Sequence, residues 1–222
     1  MTAKRKRKRA SPKAGPAWRA AEAYGCDMSL IEDNLSRTPL ERLRALDRAL
    51  ETIFALRQAM KGSQPALGLP LDWLMEHGVE FVLVGEYAAA GYGVTGVALG
   101  MEVCFRFSPE NLMRLQEALA DLRPVHRMTP AKIPLKLTPE ECRGLNSLYL
   151  RTDYGQLDCI SEVTGVGDFD AVKKESITIK LPSGACRILS IDALIRAKEA
   201  VGRPRDKEAV LQLKAIRERR CG

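Results

Sequence analysis

Read for periodicity, the chain separates into a helical front and a mixed α/β remainder. Leu43, Leu46, Leu50, Ile53 and Met60 fall mostly at three- and four-residue steps, which predicts a long amphipathic helix over 38–61. Thr38-Pro39-Leu40-Glu41 is a capping box at its start. Residues 62–70 read as a linker. Leu71 to His77 then form a short helix stopped by Gly78, and the β-branched apolar run Phe81 to Val84 is a buried strand. Gly85 to Tyr92 is an Ala-rich helix begun directly off that strand. Met101 to Phe107 is the next strand. Ser108-Pro109-Glu110 caps a helix with Leu112, Leu115, Leu119 and Leu122 on one face.

Residues 123–137 are basic and contain prolines, and read as a loop. Thr138-Pro139-Glu140-Glu141 predicts another short helix. Leu148 to Thr152 and Gln156 to Ile160 flank a turn at Asp153-Tyr154-Gly155 and read as a hairpin. Ser176 to Leu181 and Cys186 to Leu189 form a second such pair around Pro182-Ser183-Gly184. Ser190 caps a helix to about Val201, and Pro204 opens a last one carrying Val210, Leu213 and Ile216. No internal repeat is present.

Charge changes this picture at one end. The chain has 222 residues with 35 Lys and Arg, 28 Asp and Glu, and a net charge of +7. Residues 1–13 hold seven cations and no acid, which leaves 28 cations against 28 acids in 14–222. The excess therefore belongs to the N-terminal stretch, and residues 1–22 are expected to be a disordered basic arm. Lys4 to Arg9 could touch nucleic-acid phosphates weakly. A solvated tail is the plainer reading, because no aromatics interleave with the cations. At 45% hydrophobic residues the chain is not wholly disordered. No apolar run approaches the roughly 20 residues that span a bilayer, so no membrane contact is expected.

Cys26, Cys104, Cys142, Cys159, Cys186 and Cys221 are widely spaced, with no C-x-x-C. With only His77 and His126 available, zinc has little support. Scattered cysteines and no export signal suggest reduced thiols and a cytoplasmic location.

The region most informative about chemistry is 81–107. A helix that starts on a glycine turn, here Gly85, points N–H groups outward in a way that suits phosphate. On the following strand, positions 100 and 102 face the same way. In a nucleotidyl-transfer site those positions carry two carboxylates that hold two Mg²⁺ ions. A third comes from a neighbouring strand, for which Asp158 in Gly155-Gln156-Leu157-Asp158 is well placed.

With those motifs in order, residues 71–217 resemble the minimal nucleotidyltransferases of the DNA polymerase β-like superfamily, near the bacterial abortive-infection (AbiE-type) toxins. The resemblance rests on Gly85, Ser108-Pro109-Glu110-Asn111, Gly155 to Asp158, Lys198, Gly202, Arg203, Arg205 and Asp206. Residues 24–60, with Asn34-Leu35, Thr38-Pro39 and Arg42, are similar to a helical extension in some of these proteins. It implies an α+β fold: a nucleotidyltransferase-type mixed sheet with flanking helices over 71–220, a helical extension over 23–63, and the basic arm over 1–22. It also implies Mg²⁺-dependent transfer of a nucleoside monophosphate from an NTP to a protein or tRNA hydroxyl. Glu102 and Asp158 would then be the catalytic metal ligands, and Gly85, Glu86, Lys198 and Arg203 would contact the nucleotide.

The departures cluster where that chemistry lies. Glu86 stands for the second glycine, Ala98 for the threonine, Gly100 for the first metal aspartate and Glu102 for the second. Gly100 offers no ligand, Glu102 carries its charge one methylene further, and Glu86 repels a triphosphate. Activity is therefore expected to be reduced or lost. Glu86 could instead swing in to rebuild a three-carboxylate site, although a carboxylate in a first helical turn is ordinary. Lys198, Arg203 and Arg205 could equally be a solvated face paired locally with Asp206 and Glu199. Three functions stay open: a transferase, a non-catalytic antitoxin-like or regulatory binding protein, and a nucleic-acid-associated module using the arm. The 38–61 stripe could also pair two copies of the chain.

Overall fold

The computed structural model describes residues 14–59, 70–96, 98 and 100–221. These form nine α-helices and nine strands, an α+β arrangement around a seven-stranded mixed sheet. The helices are α1 (Pro16–Tyr24), α2 (Met28–Leu35), α3 (Pro39–Ala59), α4 (Pro70–Glu76), α5 (Gly85–Tyr92), α6 (Pro109–Leu119), α7 (Phe169–Lys174), α8 (Ile191–Val201) and α9 (Pro204–Cys221). The strands are β1 (Phe81–Leu83), β2 (Gly100–Phe105), β3 (Val125–His126), β4 (Ser147–Thr152), β5 (Gly155–Ile160), β6 (Glu162–Val163), β7 (Gly167–Asp168), β8 (Ser176–Leu181) and β9 (Gly184–Leu189).

The large sheet runs β3-β4-β5-β2-β1-β9-β8. The two hairpins, β4–β5 and β8–β9, sit at its flanks, and β1–β2 fill the centre antiparallel. β2 pairs parallel with β5, and β1 parallel with β9. The central strands are apolar on both faces, as strands covered on both sides must be. Phe81, Val82, Leu83, Val103, Cys104 and Phe105 are all buried. β6 and β7 form a separate small sheet, and α7 follows it, capped by Asp168, whose carboxylate accepts the Ala171 N–H at 3.0 Å. The sequence reading assigned no element to 162–174. Its segments are too short to develop a period.

The long helix and its capping box are present. Thr38 N–H donates to Glu41 at 2.7 Å, and Glu41 N–H to the Thr38 hydroxyl at 3.2 Å. The α3 stripe is buried at Leu43, Leu46 and Leu50 in the same core as α5 and the sheet, so over those residues it is used within the chain. The side chains of Ile53 and Met60 lie outside the described residues, as does most of the expected linker. Arg42 locks α3 to its neighbours. Its guanidinium donates to the carbonyls of Asn34 at 2.7 Å, Gly91 at 2.9 Å and Tyr92 at 3.1 Å. Burial, with the Arg220 charge nearby, brings Arg42 down to about 10.

Three expectations need correction. Residues 16–22 are not a disordered arm, because Pro16–Tyr24 is helical and buries Trp18 and Ala21 beside Ala215 and Ile216 of α9. Glu218 caps α1 from afar: its carboxylate accepts the N–H groups of Trp18 at 3.0 Å and Ala17 at 3.4 Å. The Arg219 guanidinium lies 3.9 Å from the centre of the Trp18 ring. Lys4 to Arg9 lie outside the described residues. Second, Thr138 and Glu141 form their capping bonds, but only turns follow. Gly144, at φ 84°, breaks the helical path just before β4. Third, the basic loop contains β3, whose Val125 and His126 pair with Arg151 and Leu150.

Trp18→Ala should lower unfolding stability by about 3 kcal/mol, since a buried aromatic is removed. A urea midpoint that does not move would mean that α1 adds nothing to the fold.

Candidate functional site

The site forms where β1 hands over to α5. Val84 is the N-cap, and its N–H donates to the Glu102 carbonyl at 3.1 Å, which extends the β1–β2 pairing to the start of the helix. Gly85 then adopts φ 63°, which a side chain would resist. A Cβ there would also collide with the Glu102 carboxylate. The positive φ thus calls for the glycine, and Glu102 lies against it, in the approach expected for a phosphate.

The parallel β2–β5 register places Glu102 opposite Asp158 and Gly100 opposite Gln156. The two expected metal ligands are therefore side by side. Position 100 is closed in: a Cβ on Gly100 would stand 2.9 Å from Cβ and 3.2 Å from the carbonyl oxygen of Gln156. An aspartate there would need Gln156 to move.

Asp158 is already occupied. Arg127, between β3 and the turns that precede β4, binds it with both arms of the fork: Nε to Oδ1 at 3.0 Å and the terminal nitrogen to Oδ2 at 2.5 Å. Both side chains are about a quarter exposed, at 23% and 26%. The guanidinium also lies 5.2 Å from the centre of the Tyr149 ring. Sequence reasoning passed over Arg127 as one cation among several in a basic loop. Nothing local marks it, because its partner is 31 residues away.

Glu102 is in a different state. Among the described residues its carboxylate has no hydrogen bond and no ion pair. Burial pushes its carboxyl up, and the Asp158 charge adds to this, while Arg203 and Lys198 pull the other way. Glu86 does not complete a three-carboxylate site; it leans toward Arg205 at 3.9 Å. No group of three or more His, Cys, Asp or Glu among the described residues is arranged to hold a metal ion.

On the facing side, α8 and α9 meet at Asp206, which is 1% exposed. It accepts from buried Lys198 at 3.3 Å and from Arg203 Nε at 2.8 Å. Burial alone would raise the Asp206 carboxyl, but the Arg203 bond and the Lys198 charge outweigh it and leave it below its ordinary value. The Lys198 charge is thereby committed inside the protein, whereas Arg203 uses only Nε. Lys198 and Arg203, with Gly85, Glu86, Glu102, Arg127, Asp158 and Arg205, line a cavity of about 390 Å³. The structure thus gathers every residue singled out for metal or nucleotide contact around one space, with Arg127 in the middle.

No thiol nucleophile is evident among the described residues. Cys26, Cys104, Cys142, Cys159 and Cys186 are free and buried, and burial pushes Cys104 and Cys186 up to about 12. His77 Nδ1 sits 2.9 Å from the carbonyl of Trp73, within its own helical turn. No described helix is long and apolar enough to cross a membrane. No protein-family model matches the chain, and no curated protein matches it.

The depressed Asp206 carboxyl sets a sign for pH. Its contribution is present above its unfolded value, about 3.9, and is lost as pH falls through the lower folded value. Asp206→Asn should cost about 3 kcal/mol at neutral pH, because it leaves Lys198 buried and unpaired. It should also flatten the fall in stability below that value. Acid-unfolding curves of both proteins check this; parallel slopes would deny the linkage.

Proposed function

We propose that this chain is a nucleotidyltransferase-like protein that has abandoned metal-dependent transfer and acts by binding. The observation that carries this reading is the Arg127–Asp158 pair, which takes up both oxygens of the one carboxylate that matches the expected triad.

The fold part of the reading is supported by the element order: strand, glycine turn, short helix, second strand, and a parallel partner strand bearing Asp158. The same order suits the superfamily resemblance. The loss of transfer is supported by the state of each group. Position 100 has no ligand, and an aspartate there would need Gln156 to move. Burial and the Asp158 charge push the Glu102 carboxyl up, so a metal ion would compete with a proton for it more than at an ordinary carboxylate. Asp158 already has a cation.

The residues present therefore do not fit a pair of Mg²⁺ ions. A divalent ion would first have to displace a guanidinium held by two charge-assisted bonds. It would then find Glu102 and Asp158 but nothing at position 100, one ligand short of the expected triad. Without metal, a triphosphate would meet Glu86 and Glu102 and have only the cavity's own cations to offset its charge.

Label transfer from each α-labelled NTP, with Mg²⁺ or Mn²⁺, into bulk tRNA and lysate protein tests the reading. The natural chain should transfer nothing. Label that disappears with Asp158→Ala would overturn it. In parallel, Mn²⁺ followed by electron paramagnetic resonance should show no saturable site in the natural chain. Arg127→Ala should bind Mn²⁺ weakly, since it frees Asp158 beside Glu102.

A further inference from the structure

We propose that the cavity takes a small zwitterion, with its protonated amine against Glu102 and its carboxylate or phosphate against Arg203 and Arg205. This rests on the reading that the site works without metal, and names the ligand that such a site suits.

The charges around the cavity fall into two groups. Asp158 with Arg127, and Asp206 with Lys198, are internal pairs whose needs are met by the protein. Three side chains are left with unused capacity. Glu102 sits on the floor formed by β2, over Gly85, and among the described residues nothing donates to it. Its side chain is partly exposed to the cavity, and an ammonium N–H placed there would give the carboxylate a charge-assisted bond.

Arg203 and Arg205 lie across the cavity at the start of α9. Arg203 is half exposed and bonded to Asp206 through Nε alone, so its terminal nitrogens remain for a ligand. Arg205 is 64% exposed and stands 3.9 Å from Glu86, too far for a hydrogen bond. Two guanidinium groups with free N–H pairs suit a planar carboxylate or a phosphate. A carboxylate without a hydrogen bond on one side and guanidinium N–H groups left over from the ion pairs with Asp206 and Glu86 on the other complement a molecule carrying both charges. A space of about 390 Å³ holds a small metabolite. A purely anionic ligand would leave Glu102 without a donor, and a purely cationic one would face the two arginines.

Calorimetric titration of the full chain with 4-aminobutyrate and phosphoethanolamine tests the proposal and separates carboxylate from phosphate. Ethanolamine, acetate and inorganic phosphate serve as single-ended probes. At least one zwitterion should bind saturably, and each single-ended probe at least tenfold more weakly. Glu102→Gln, which keeps the side-chain shape, and Arg205→Ala, at an exposed position, should each weaken binding by tenfold or more. Melting curves identify any variant that fails to fold. The proposal is overturned if neither zwitterion saturates, if a single-ended probe binds equally well, or if both variants bind as the natural chain does. Saturable Mn²⁺ binding by the natural chain would instead sink the metal-free reading and this proposal together. Silence toward Mn²⁺ and toward both zwitterions would sink this proposal alone.

Discussion

The parallel pairing of β2 with β5 is the constraint on which the site depends. Adjacent strands lie about 4.8 Å apart, and the register sets Glu102 directly beside Asp158 on one face. Two carboxylates that close, partly withdrawn from water, cannot both remain ionised without a cation. The chain supplies that cation from within, as Arg127. The rest of the local structure follows from this choice. Asp158 is held by two charge-assisted bonds, burial and the Asp158 charge push the Glu102 carboxyl up, and the turn against Glu102 is a glycine with positive φ.

Helix α9 organises the opposite wall and also holds the N-terminal helices. At its start it brings Asp206 to Lys198 and Arg203. In its middle, Gln212 accepts the Thr95 N–H at 2.8 Å and steadies the segment between α5 and β2. At its end, Glu218, Arg219 and Ile216 receive α1. Arg42 then ties α2 and α3 to the last carbonyls of α5. The helical front is thus packed onto the helix whose first turn borders the cavity. A change in α1 would act on the site through the elements it packs against, α9 foremost, whereas a change at Arg42 acts on α5 directly.

Much of the fold was legible along the chain. The strand and helix patterns from Phe81 to Leu122, in β4 and β5, and in α8 and α9 are strong, because those elements bury apolar residues at a regular spacing. What misled was local chemistry without its context. The capping box at Thr138 forms its bonds yet starts no helix, since Gly144 turns the chain toward β4. Residues 16–22 look like part of a charged arm, yet they fold because Ile216 and Glu218 are there to receive them. In the site, Glu102 and Asp158 could be singled out by spacing, but not that Arg127 would bond one and not the other.

By itself, the sequence determined which residues stand at the centre of the molecule and which of them lack the expected ligands. Gly100 and Glu102 are facts of composition that no folding can alter. Only the tertiary structure decided what became of the remaining charges. Glu218 reaches α1 across 200 residues and Arg127 reaches Asp158 across 31. Such pairs are chosen by which groups packing brings within about 3 Å, and periodicity along the chain holds no record of that distance.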